Sequence, residues 1–326
     1  MKYLTLKENG KQFSKIALGT TYFGTTIEEK SAMRMLDEFA DSGGTTIDTA
    51  LVYGQEEDGL PGRSEMIIGR WLKSNNMYKE MAIVTKGLHP SLTTHQSRIS
   101  LEQMKRDLDR SFIDLGADNL DLWFFHRDDR SKPVKEFLSL IDQISSYFPV
   151  TSFGVSNWDS SRLNEICEYE TQQNRVHIDA SEIQWSLAES SPALHEDESI
   201  VCMDDDQLQW YSEHQRPLFA YSSQAKGFFS KFAEGIALNA KVTKRFVSEN
   251  NIKRAERVKR LSETYQCPAS SIVLSYITSA PFPSVAIIGP SCTHQLEDSL
   301  KDPDITLTQT ERTYLESGEG EEHVFV

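Results

Sequence analysis

Short apolar runs alternate with helical stretches along almost the whole chain, and this alternation constrains the fold more than any other feature. The runs at 16–19, 45–48, 82–85, 120–125, 152–155, 178–183, 218–220 and 284–288 read as eight strands. Helical patterning fills the intervals at 28–42, 64–74, 98–112, 134–148, 160–172 and 205–214, and a longer stretch from 246 to 278. In the third of these, Leu101, Met104, Leu108 and Phe112 make one apolar stripe, opposite Glu102, Lys105, Arg106, Asp109 and Arg110, with Gly116 as a stop. Eight strand–helix repeats predict an α/β fold of the (β/α)8 TIM-barrel type. The competing doubly wound sheet needs a G-x-G-x-x-G turn after its first strand, and Gly19-Thr20-Thr21-Tyr22-Phe23-Gly24 is spaced wrongly for it. Ahead of the repeats, runs at 3–6 and 13–15 flank Asn9-Gly10 and predict an N-terminal β-hairpin. No Pro/Gly/Ser-rich linker interrupts the 326 residues, so a single domain over 1–326 is expected.

Four polar residues sit just past predicted strands. Asp48 ends Thr45-Thr46-Ile47 and is followed by Tyr53; Lys86 ends Ala82-Ile83-Val84-Thr85; His126 ends Leu122-Trp123-Phe124-Phe125. Singly, each has a bland reading as a turn residue, a solvated strand end, a satisfied histidine or loop packing. Parallel neighbouring strands would bring all four to one edge, where α/β enzymes keep their chemistry. A tyrosine beside a lysine and a histidine predicts a phenol tuned to give up its proton near neutral pH.

Bulk properties narrow the function. With 49 acidic against 34 basic residues the formal net charge is −15, which argues against nucleic acid and anionic membrane as partners. Cys167, Cys202, Cys267 and Cys292 are far apart and read as reduced thiols. The start of the chain lacks the apolar core of a signal peptide, and no segment is long enough to span a bilayer, so a cytoplasmic location is expected.

The chain resembles the aldo-keto reductases from Tyr3 to about Leu300. The matching words are Leu18-Gly19-Thr20-Thr21, Ile47-Asp48-Thr49-Ala50 with Tyr53-Gly54, Ser64-Glu65 with Ile68-Gly69, and Thr85-Lys86. Further along come Asp121-Leu122-Trp123-Phe124-Phe125-His126-Arg127, Gly154-Val155-Ser156-Asn157-Trp158, Ala220-Tyr221-Ser222 and Ile287-Ile288-Gly289. The resemblance implies hydride transfer between an aldehyde or ketone and its alcohol. Tyr53 would be the general acid, Lys86 and His126 would bias its phenol and orient the carbonyl, and Asp48 would hold Lys86.

It also implies a nicotinamide site. Gly19, Thr20, Thr21 and Asp48 would lie along it, with Tyr221 beneath the ring, and Ser156, Asn157 and Glu182 around the carboxamide. Glu182 falls where relatives usually carry glutamine, and an ionised carboxylate cannot donate to the carboxamide oxygen. Ser222, Gln224, Lys226 and Gly227 would touch the pyrophosphate. Gly289, Ser291, Gln295 and Asp298 would face the adenosine end, but the segment 289–299 holds no lysine or arginine to grip a 2′-phosphate. Serine also stands at 299 in place of the common asparagine. NADP(H) is favoured on this reading and NAD(H) is the alternative.

The expected substrate wall is Tyr22, Arg127 and Trp158, with Phe23 and Leu51 nearby; the substrate itself, the oligomeric state and the pathway are not legible. His126-Arg127-Asp128 resembles a kinase catalytic loop but lacks its asparagine, with Pro133 in that place. Asp204-Asp205-Asp206 reads as a helix opening, and no metal is expected. Two other classes compete: a cofactor-binding regulatory subunit with little turnover, and a (β/α)8 enzyme of unrelated chemistry.

Overall fold

The computed structural model describes residues 1–7, 10–55, 62–195 and 197–325. Eight parallel strands close on themselves. They are β3 (Ile16–Gly19), β4 (Thr46–Asp48), β5 (Ala82–Gly87), β6 (Leu122–Phe125), β7 (Phe153–Ser156), β8 (Ala180–Gln184), β9 (Leu218–Tyr221) and β10 (Ser284–Ile288), and β10 pairs with both β9 and β3. This is the (β/α)8 barrel that the strand–helix alternation predicts.

A short antiparallel ribbon of β1 (Tyr3–Thr5) and β2 (Gln12–Ser14) precedes it. Asn9, half of the expected turn, lies outside the described residues. The ribbon packs on the barrel's amino-terminal end, where Phe13 is buried and meets Phe219 edge-to-face at 6.0 Å.

Side chains alternate along each strand, so every second residue points into the barrel. Ala17, Ala82, Val84, Leu122, Phe124, Ala180, Phe219, Val285 and Ile287 form that apolar interior with Phe13. Continuing the same two-residue step brings Asp48, Lys86, His126, Ser156, Glu182 and Tyr221 to the carboxyl end. Small residues make the packing possible. A Cβ on Gly154 would collide with the Phe124 ring, which fills the space opposite.

Outside lie α1 (Glu29–Asp41), α2 (Arg63–Asn75), α3 (Leu101–Leu115), α4 (Val134–Ile144), α5 (Ser160–Gln173) and α6 (Asp205–His214). Ser100 caps α3 by accepting from the Gln103 N–H, and Gly116 ends it at φ 61°, as its sequence predicts. Asp204 caps α6 in the same way.

The stretch read as one helical region from 246 to 278 is interrupted. After α7 (Phe228–Glu234) and α8 (Ala240–Phe246) come α9 (Glu249–Tyr265) and α10 (Ala269–Thr278), separated by Gln266 at φ 54° and Pro268. The proline ring removes an N–H and forbids continuation. The chain closes with α11 (Thr293–Leu300), α12 (Gln309–Ser317) and α13 (Glu321–Val324). Among the described residues no helix is long and apolar enough to cross a membrane.

Candidate active site

The four expected residues converge at the carboxyl end of the barrel. Lys86 is fully buried; its Nζ donates to Asp48 Oδ1 at 2.6 Å and to the Thr49 carbonyl at 2.9 Å. The same ammonium lies 5.6 Å from the centre of the Tyr53 ring. His126 approaches that ring edge-on, with centroids 6.0 Å apart. Glu182 enters from β8 and its Oε2 is 3.3 Å from Lys86 Nζ. That contact lacks hydrogen-bond geometry, leaving Oε2 buried without a hydrogen-bond partner.

Burial sets the electrostatics of this layer. It opposes the charge on Lys86, but the Asp48 and Glu182 carboxylates outweigh it and hold the ammonium above its usual range. Burial drives Asp48 upward against the pull of Lys86, and drives the Glu182 carboxyl up to about 8 against the same pull. Tyr53 differs from its sequence expectation. Burial raises its phenol, and the opposing attraction of Lys86 is partly cancelled by Asp48 and Glu182. The group is therefore held as a protonated phenol rather than poised to ionise near neutrality.

His126 is pushed well below its usual value by burial, then by Arg127, His89 and Lys86, so it is neutral. Its Nδ1 is buried without a partner. A buried N–H left unpaired costs more than an unpaired lone pair, so the proton is assigned to Nε2.

Sequence reasoning misses three participants: His89, Asp197 and Ser199. His89, just past β5, meets the His126 ring at 4.8 Å. Leu88, at φ 58°, turns the chain there, and its N–H donates to the buried Asp107. The cue in the sequence is a second histidine shortly beyond Lys86. Gln184, next along the inward face of β8 from Glu182, has an Nε2 buried without a partner. Asp197 and Ser199 accept from Arg127 at 3.2 and 2.9 Å, fastening it beside the mouth. Their contribution rests on a contact about 70 residues away in sequence, which no local pattern announces.

The expected cofactor residues fall into two groups. Asn157, at φ 62°, donates to Ser156 Oγ at 3.0 Å and accepts from Tyr221 Oη at 2.6 Å and from the Val201 N–H, so these three side chains form one network. Gly19 adjoins Asp48 in register, and Thr21 reaches the Tyr53 hydroxyl. Lys226, at φ 56°, lies over the Tyr22 ring at 5.9 Å. Ser222 also has positive φ, and Gly227 ends the tight turn at φ 78°. Gln224 donates to Ser299 Oγ, and Ser291 donates to Gln295. Around Gly289 the space for a Cβ is open.

Other residues point elsewhere. Thr20 is buried, its hydroxyl donating to the Asp48 carbonyl and contacting Ser64. Asp298 accepts from Ser270 of α10. Trp158, expected in the substrate wall, is a correction: its ring is fully buried in the outer layer, 4.8 Å from Phe137 and covered by Arg162. Phe23 is likewise buried, whereas Tyr22 is exposed.

The family model for the aldo/keto reductase family matches residues 15–318. The chain belongs to the aldo/keto reductase family. Membership places it among oxidoreductases that use nicotinamide cofactors and small carbonyl substrates. The uncharacterized oxidoreductase YrpG of Bacillus subtilis (strain 168) is 24% identical over 314 residues, covering 94% of this chain and 92% of that protein. A probable voltage-gated potassium channel subunit beta of Oryza sativa subsp. japonica is 22% identical over the same shares of each. The barrel also superposes on a crystal structure of the thermostable aldo-keto reductase Tm1743 with the inhibitor epalrestat. There the TM-score is 0.72 at 21% identity, over 97% of this chain and 99% of that one.

The mouth of this aldo/keto reductase fits a nicotinamide group. Glu182 and Gln184, each with a buried polar atom lacking a partner, pair in register with Ser156 and Tyr221 of the network. At the other end of the expected groove, α11 begins without a side-chain cap, leaving first-turn N–H groups for an anion.

Proposed function

We propose that the protein reduces aldehydes or ketones to alcohols, or runs the reverse reaction, with Tyr53 as the general acid and base. The observation that carries this reading is the buried Lys86–Asp48 ion pair at 2.6 Å beneath the Tyr53 ring, with neutral His126 beside it. A bound nicotinamide supplies or accepts the hydride. Tyr53 Oη holds the proton that the carbonyl oxygen takes up, and its raised pKa keeps that proton in place until negative charge develops. Lys86 then stabilises the phenolate left behind, because its ammonium is fixed and desolvated. His126 Nε2–H orients the carbonyl oxygen.

Ser156, Asn157, Glu182 and Tyr221 are proposed to hold the nicotinamide, with Gly19, Thr21 and Asp48 along its edge. Ser222, Gln224, Lys226 and Gly227 are proposed for the pyrophosphate; Gly289, Ser291, Gln295 and Asp298 are assigned to the adenosine end, where Asp298 would first have to leave Ser270. Tyr22 and Arg127 would contact substrate. NADP(H) is the proposed cofactor on family grounds, and NAD(H) the alternative. We take the chain as a single cytoplasmic domain over 1–326. The test is turnover of generic aldehydes with each reduced cofactor. A second reading, a regulatory subunit that retains cofactor and turns over slowly, draws support from the rice relative's name. It predicts copurifying cofactor and negligible steady-state reduction.

A further inference from the structure

The layer around Lys86 holds one cation and two carboxyl groups, all removed from water. Lys86 is completely buried, and Asp48 and Glu182 are each 3% exposed. Asp48 has the stronger claim on the ammonium, with a hydrogen bond at 2.6 Å. Glu182 has a 3.3 Å contact without hydrogen-bond geometry. Both carboxyl groups therefore face the same ammonium. A second buried negative charge beside a pair already neutral overall would have no counterion of its own.

We propose that Glu182 is a positioning residue that works as a neutral carboxylic acid, and that its ionisation switches the Lys86–Tyr53 site off at alkaline pH. The inference rests on the catalytic reading of Tyr53 given above. As an acid, Glu182 has both an O–H donor and a carbonyl acceptor, the pair of functions that a glutamine amide would offer. As a carboxylate it would draw on Lys86 and raise the Tyr53 phenol, because a negative charge at that position opposes phenolate formation. The groups facing it are Asp48 from β4, Lys86 from β5, Arg127 beyond β6, Tyr221 from β9 and Tyr53 from the loop after β4. Lys86 and Arg127 favour its ionisation, while burial and Asp48 oppose it and leave it titrating at about 8.

The test has two arms. In cofactor-free protein, infrared spectra record the carboxylic-acid C=O band at pH 7 and through its loss on raising pH. Spectra of the Glu182→Gln variant are subtracted, and labelling glutamate with 13C distinguishes Glu182 from Asp48. Subtraction also removes the buried Glu65, which titrates in the same region. The expected result is a glutamate-derived band present at pH 7 and lost around pH 8. In the second arm, the ratio of kcat/KM at pH 9 to that at pH 7 is compared for carbonyl reduction. It should fall roughly tenfold in the wild type and stay within about twofold in the variant, whatever the variant's absolute rate. No difference band at pH 7, or an alkaline fall that persists in the variant, overturns the proposal. If neither protein reduces carbonyls while the band is present, the catalytic reading of Tyr53 fails and the band alone establishes the neutral acid.

Discussion

Lys86 Nζ and Asp48 Oδ1 meet at 2.6 Å in a layer closed to water, and neither strand could place its charge there without the other. β4 and β5 are adjacent and parallel, with Asp48 registered against Val84, so Lys86 reaches across one two-residue step. Lys86→Met should therefore leave Asp48 and Glu182 buried without a cation and destabilise the fold by about 3–5 kcal/mol, the cost of breaking a buried pair from one side. Denaturant unfolding measures it, and adding Asp48→Asn should recover part of the loss. Equal stability of Lys86→Met and wild type would contradict the assigned burial of the pair.

Glu65 offers a test of the fold independent of catalysis. It sits fully buried on α2, accepts from Thr85 Oγ1 at 2.6 Å, and burial pushes its carboxyl up to about 8. Because the folded pKa exceeds the unfolded one, the stabilising effect of the proton is complete below the unfolded value and is lost as pH rises to about 8. Glu65→Gln removes that loss. Relative to wild type, the variant should gain roughly 2–3 kcal/mol between pH 6 and pH 8, at about 1.4 kcal/mol per unit. Urea melts at the two pH values decide it; a constant difference would mean that Glu65 is ionised in both.

Cofactor preference should be weak for the family. Ser291 is exposed and bonds Gln295 through its N–H and hydroxyl at 2.9 and 3.0 Å, and the segment 289–299 holds no lysine or arginine. A charge-assisted hydrogen bond to phosphate is worth roughly 1.5–3 kcal/mol, so Ser291→Arg should tighten NADPH about 10- to 100-fold and leave NADH nearly unchanged. Dissociation constants for both cofactors check this. A wild-type preference for NADPH beyond about 10³-fold would show that a cation from elsewhere reaches the 2′-phosphate.

The barrel is legible in the sequence because its strands are uninterrupted apolar runs and its helices have long apolar stripes; closure then follows from eight repeats. The placement of Asp48, Lys86 and His126 is legible for the same reason, since each extends the inward face of a readable strand. Trp158 is misplaced by sequence reasoning because the positive φ of Asn157 redirects the chain just before it, and a side chain's layer cannot be read past such a turn. The break between α9 and α10 is marked by Pro268 but submerged in a long helical pattern. His89 and the Asp197–Arg127 contact depend on loop geometry, and the raised phenol of Tyr53 depends on how completely the site excludes water. Neither quantity is local in sequence.

Tyr53 is proposed to supply the proton for carbonyl reduction, with binding of the cofactor left to other groups. The direct measurement is the single-turnover rate of cofactor oxidation by a generic aldehyde, for wild type and Tyr53→Phe, with cofactor dissociation constants measured alongside. The substitution removes one hydroxyl and hardly changes volume, so the rate should fall at least about 10²-fold with affinity preserved within about twofold. A near wild-type rate in Tyr53→Phe would contradict the account.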